Sequence, residues 1–195
     1  MSFPPIEDEP FVPELEKSQT VFRGAIWDVK RETFRYNGDL LTRDFVCHSG
    51  AAAVLAMNDR EEVLLIQQYR HAIRSRNWEI PAGLLDVPGE TPRDCAAREL
   101  LEEADLQATV WDPLVTLHTS PGGSDEVVYI YLATELSAGN VNFSRSAEEA
   151  DIQALFVPMN KAVKAIAEGR VRNQILVSAV LAAYASRIES KIELQ

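Results

Sequence analysis

Residues 81–106 read PAGLLDVPGETPRDCAARELLEEADL, and a change of character inside that stretch organises the rest of the chain. Pro81-Ala82-Gly83 and Gly89 suit a strand end and a loop, whereas Thr91-Pro92-Arg93-Asp94 carries the marks of a helix start. Thr91 fits the N-cap, Pro92 the first helical position, and Asp94 a place where negative charge meets the positive end of the helix dipole. The helix is expected to run to about Ala104, with Asp105 as its exit, because Asp tolerates a left-handed backbone. A rotation of about 100° per residue puts Arg98, Glu99, Glu102 and Glu103 on one face and Ala96, Ala97, Leu100, Leu101 and Ala104 on the other. Alone, such a run is an ordinary solvated face. Its carboxylates nevertheless repel one another, the i, i+4 pair Arg98–Glu102 offsets only part of that cost, and a hard dication would offset the remainder.

Upstream, segments 26–36 and 40–47 flank Asn37-Gly38, a dipeptide suited to the positive φ angles of a tight hairpin. Apolar runs 51–57 and 63–69, split by Asn58-Asp59-Arg60, predict a further strand pair, and 78–81 an extension of the sheet. Downstream, 114–119, 127–133 and 152–157 suit strands, 158–168 a helix closed by Gly169, and 173–188 a last helix. Lacking a regular βαβ rhythm, this order predicts an α/β fold in which helices cover a mixed sheet. Segment 1–17 sets Pro4, Pro5, Pro10 and Pro13 among Glu7, Asp8, Glu9, Glu14 and Glu16, the composition of a mobile tail. The expected organisation is that tail, an N-terminal β region over 18–50, and one catalytic domain over 51–195.

A length of 195 residues with 46% apolar content allows a full core. The net charge of −11 argues against a nucleic-acid partner, which requires clustered Lys and Arg. Without a long apolar run or a basic, then apolar, leader, the expectation is a cytoplasmic protein with no membrane partner. Cys47 and Cys95 lack metal-ligand spacing and are expected reduced and packed. His48, His71 and His118 share no spacing and carry no assignment.

With seven residues separating Glu90 from Arg98, the stretch 83–106 resembles the Nudix box, G-x5-E-x7-R-E-U-x-E-E-x-G-U with U aliphatic. It departs twice: six residues separate Gly83 from Glu90, and Asp105 stands where the box has glycine. The resemblance implies a Nudix-type α/β/α sandwich and a hydrolase that uses Mg²⁺, or Mn²⁺, on a diphosphate. It further implies that Glu99 and Glu103 are the main metal ligands, assisted by Glu102 and the Ala82 carbonyl. Arg98 would orient a carboxylate, and Glu90 would anchor loop to helix or stand in the outer shell.

Beyond the box, Ser120-Pro121-Gly122-Gly123-Ser124-Asp125-Glu126 places Pro121 fifteen residues after Leu106, similar to the proline of the ADP-ribose pyrophosphatase subfamily. As an unplaced motif it is merely a turn; with the box intact, Pro121 and Glu126 become candidates for a substrate loop. Gln67-Gln68-Tyr69-Arg70 and Trp78-Glu79 also resemble that subfamily, which implies substrate contact for Arg70 and Glu79; an ion pair between the two is the competing role. Ala147-Glu148-Glu149-Ala150-Asp151-Ile152 resembles the loop that supplies the catalytic base, making Glu148 the candidate and Glu149 the reserve. Relatives exchange the N-terminal β region between protomers, so a homodimer is implied, with Arg43 and Trp27 as candidates for holding adenine. The expected substrate is a nucleoside diphosphate sugar, ADP-ribose foremost. The alternatives are another nucleotide sugar or dinucleotide, or a non-catalytic ADP-ribose sensor.

Overall fold

The computed structural model describes residues 5–139 and 151–193. Two compact units emerge: one formed by the residues up to His48 with Gly122–Asp125, the other by Ser49–Pro121 and the described residues from Glu126 onward.

The first unit is an antiparallel sheet of β1 (Glu14–Arg23), β2 (Asp28–Tyr36) and β3 (Asp39–Cys47), in that order. The expected hairpin is present: Asn37 and Gly38 have φ of 51° and 87°, the pair of positive angles whose twist matches the strands they join. The segment 122–125 is stitched to β3, where Val46 N donates to Gly123 O at 2.9 Å and His48 N to Asp125 Oδ1 at 2.7 Å. β1 begins at Glu14, inside the segment expected as an irregular tail. Its register with β2, from Glu14 opposite Arg35 to Arg23 opposite Asp28, gives that acidic stretch backbone partners that composition alone does not reveal.

In the second unit the strands β4 (Ala51–Ala56), β5 (Glu62–Arg70), β6 (Ser75–Glu79), β7 (Ala82–Leu84), β8 (Leu106–His118), β9 (Val127–Ala138) and β10 (Gln153–Pro158) form two sheets. One is mixed, in the order β7-β4-β9-β8, with β4 and β9 parallel; the other is antiparallel, β10-β5-β6. The helices are α1 (Pro92–Ala104), α2 (Met159–Ala167) and α3 (Gln174–Glu193).

β4 and β5 are therefore strands as expected, but the expected pairing between them is corrected. They lie in different sheets, with an isolated bridge Met57–Val63 beside the turn between them, because β4 takes β7 and β9 as neighbours while β5 takes β6 and β10. β8 also starts well before residue 114, at Leu106 directly after α1, and pairs with β9 along its length.

The alternation along β4 produces the layers. Ala51, Ala53 and Leu55 enter a core with Met159 and Ala162 of α2 and Leu176, Ala179 and Val180 of α3, whereas Ala52, Val54 and Ala56 enter a second core with Cys95, Ala96 and Leu100 of α1. A strand covered on both faces has no reason to alternate polar and apolar residues, so it reads as the unbroken run AAAVLA. Among the described residues no helix is long and apolar enough to cross a membrane.

Candidate active site

The site begins where β6 runs into β7. Ile80 and Pro81 are buried, and β7 then pairs antiparallel with β4, Ala82 opposite Ala53 and Gly83 opposite Ala52. After the connecting loop, Thr91 caps α1: its Oγ1 accepts from the Asp94 amide at 3.2 Å and donates to Asp94 Oδ2 at 2.7 Å. At the other end Asp105 takes the left-handed conformation expected of it, with φ 54°, and its amide donates to Leu101 O at 3.0 Å. Both ends of the helix are thereby fixed, and Ala96 and Leu100 anchor its apolar face in the core.

The opposite face is not a solvated one. Glu99 and Glu103 are only 8% and 5% exposed. Glu103 Oε2 accepts from the Ala82 amide at 3.0 Å, which locks the helix to β7 through a charge-assisted bond. Glu99 lies against Gly83 so closely that a Cβ on Gly83 would stand 1.8 Å from Glu99 Oε1. That contact is the physical reason for glycine at position 83.

Arg98 gathers the remaining charge. It forks onto Glu90, Nε to Oε1 at 2.9 Å and Nη2 to Oε2 at 3.1 Å, while Nη1 donates to Glu99 Oε1 at 2.6 Å and to Glu102 Oε2 at 3.2 Å. The Arg98 hydrogen bonds hold the Glu90 carboxyl below its ordinary range, and the same bonds raise the Arg98 pKa against the opposing cost of burial. Glu90 is thus the loop-to-helix anchor. Beside it, burial pushes the Cys95 thiol up to about 12, leaving a neutral S–H that faces Gly83 O and Leu84 O at 3.7 and 3.5 Å. Both cysteines are free, as expected.

Among the described residues no three His, Cys, Asp or Glu side chains are gathered into a ready-made metal cage. The donor chemistry still fits a hard dication. Glu99 and Glu103 set carboxylate oxygens beside the backbone of Ala82 and Gly83 with Glu102 adjacent, and Mg²⁺ typically takes only one or two carboxylates together with water and phosphate oxygens.

Arg70 and Glu79 meet as an ion pair, Nη2 to Oε2 at 2.7 Å and Nε to Oε1 at 3.0 Å, with Glu79 buried and the Arg70 side chain 43% exposed. Buried Gln68 adds a contact to Glu79 Oε2 at 3.5 Å. It carried no assignment from sequence, although Ile66, Gln68 and Arg70 share one face of β5 and that period of two was the available signal. Pro121 is exposed, and Glu126 accepts a hydrogen bond from Thr119 Oγ1. In the first unit the Arg43 guanidinium donates to Thr42 O at 2.8 Å, and Trp27 stacks on His48 with ring centroids 4.1 Å apart. Glu148 and Glu149 lie outside the described residues; just after them, Asp151 is paired with Arg76.

A family model described as the NUDIX domain matches residues 48–177. An ADP-ribose pyrophosphatase of Mycobacterium tuberculosis is 44% identical over 88% of this chain and 83% of its own length. A methanol dehydrogenase activator of Bacillus methanolicus is 32% identical over 84% of this chain and 88% of its own. Among solved structures, an ADP compounds hydrolase superposes with a TM-score of 0.77 over 94% of this chain and 98% of that one at 20% identity, a likeness of fold.

Proposed function

The chain belongs to the Nudix family, and from that membership we propose that it cleaves the pyrophosphate bond of a nucleoside diphosphate sugar in the cytoplasm, with ADP-ribose as substrate and AMP and ribose 5-phosphate as products. The observation that carries this assignment is the gathering of the Glu99 and Glu103 carboxylates, both buried, at the Ala82-Gly83 backbone with Glu102 adjacent, an oxygen-rich donor set of the kind a hard dication takes together with water and phosphate oxygens. The extent of the likeness to the mycobacterial ADP-ribose pyrophosphatase supports the choice of substrate.

Glu99, Glu102, Glu103 and the Ala82 carbonyl are assigned to hold the ion, Mg²⁺ with Mn²⁺ as substitute. When bound, the dication neutralises charge on the diphosphate and makes a water acidic. Arg98 aims Glu90, Glu99 and Glu102 through its hydrogen bonds and holds the Glu90 carboxyl below its ordinary range. Arg70 and Glu79 contact the substrate, Arg70 reaching phosphate oxygens with a guanidinium whose plane is fixed by its Nε and Nη2 bonds to Glu79. Glu148 accepts the proton of the water that attacks phosphorus, with Glu149 in reserve. Pro121 and Glu126 shape the substrate loop, Arg43 and Trp27 hold the base, and the working species is a homodimer.

A Mg²⁺ titration of the full chain with ADP-ribose, GDP-mannose and a diadenosine polyphosphate, with products separated by chromatography, tests the assignment. AMP is expected fastest from ADP-ribose, and none without dication. Binding of ADP-ribose with no cleavage at any Mg²⁺ or Mn²⁺ concentration would instead identify a sensor.

A further inference from the structure

The sheet β10-β5-β6 has two faces with separate chemistry. Arg70, Gln68 and Glu79 lie on the face that Leu64 turns toward α1, since Ile66 is opposite Glu79 and the even positions of β5 share a side. Leu65 and Trp78 lie on the other face, along with Leu155 opposite Leu65 and Val157 opposite Val63, beside α2 and α3. On that second face, away from the carboxylates of α1, a cleft of about 510 Å³ opens between the sheet and α2. Its volume falls within the roughly 300–1,000 Å³ typical of small-molecule sites.

The cleft has apolar walls, formed by Trp78, Leu155, Val157 and Leu176 among others, and a cationic edge of Lys161, Lys164 and Arg170. That edge runs against the character of the whole chain. Segment 158–173 contains Lys161, Lys164, Arg170 and Arg172 with Glu168 as its one acid, in a protein of net charge −11. Glu168 ties Arg170 at 2.7 Å and Lys164 at 3.7 Å, holding two of the cations together and leaving the group with positive charge in excess. Lys and Arg stems lie readily along apolar walls with their charged heads outward, so one ligand can meet both surfaces.

We propose that this cleft is a second binding site for a small organic anion, its flat apolar body against Trp78, Leu155 and Val157 and its acidic head at Lys161, Lys164 and Arg170. The site is independent of the hydrolytic assignment and stands or falls without it.

Fluorescence titration of the full chain with anilinonaphthalenesulfonate, and with phenylnaphthylamine as the same ring system without the charge, tests the proposal when combined with amide shift mapping. The sulfonate is expected to saturate one site and to move the signals of Trp78, Leu155 and Val171. Lys161→Glu with Lys164→Glu should weaken it about tenfold, a loss also seen in raised salt, while the uncharged probe changes by less than about twofold. Arg170→Gln, as an independent variant, should weaken it in the same sense, and hydrolase turnover should stay unchanged in all of them. Equal binding of the sulfonate to parent and charge-reversed chains, or shifts gathered instead at exposed Phe22 and Ile26, would overturn the proposal.

Discussion

Every residue of β1 is exposed, and every residue of β4 is buried; β1 is an edge strand paired with β2 alone, with two breaks in register, whereas β4 lies between β7 and β9. The N-terminal sheet is held across its strands by polar pairs such as Arg31–Asp44 at 2.7 Å, Arg35–Glu16 at 2.6 Å and Thr33–Thr42 at 3.0 Å. Exposed pairs of this kind contribute little, because solvent screens them and the side chains give up freedom to form them. β4 has no such pairs. Its stability comes from apolar side chains packed on both faces, and the same packing fixes the strand against which β7, and hence the Glu103 anchor, is registered. Pairing makes a strand, and the covering of its faces decides whether it can position chemistry.

Three substitutions would sharpen or break that contrast. Leu55→Ala, at a fully buried position of β4, should destabilise the chain by about 2–5 kcal/mol in denaturant unfolding, the range for a Leu deleted from a packed core. Gly83→Ala should act on function before stability: the new Cβ must push the Glu99 carboxylate away, and a loss of about tenfold or more in turnover is expected with binding of ADP-ribose retained. Leu40→Ala, at a half-exposed position of β3, should alter stability by less than about 0.5 kcal/mol. A Leu40 variant as damaging as the Leu55 variant would show that the first sheet is covered in solution, as the proposed homodimer requires, and the contrast would then belong to the isolated protomer.

What the sequence disclosed follows from how local each feature is. The ends of α1 were legible to the residue, since Thr91, Pro92 and Asp105 act on backbone within one turn of themselves. The Asn37-Gly38 hairpin was legible for the same reason. Pairing partners were not: β4 and β5 are adjacent in sequence and both apolar, yet β4 finds its parallel neighbour in distant β9, and nothing in AAAVLA specifies that. Within the site, the carboxylates of α1 stood out through their spacing, but the glycine contact and the Ala82 amide bond required the docking of helix on strand. Arg70 and Glu79 were singled out with their two roles still open; the ion pair is present, and contact with substrate rests on the proposal.

The central claim is that buried carboxylates on α1 serve a dication acting on a diphosphate, and steady-state kinetics of Glu103→Gln with ADP-ribose and Mg²⁺ test it most directly. The substitution keeps the side-chain oxygen that can accept from the Ala82 amide while removing the charge. Turnover should fall by about 10²–10³-fold, the scale of a lost electrostatic stabiliser, with KM changed far less. Turnover within about twofold of the parent would contradict the account.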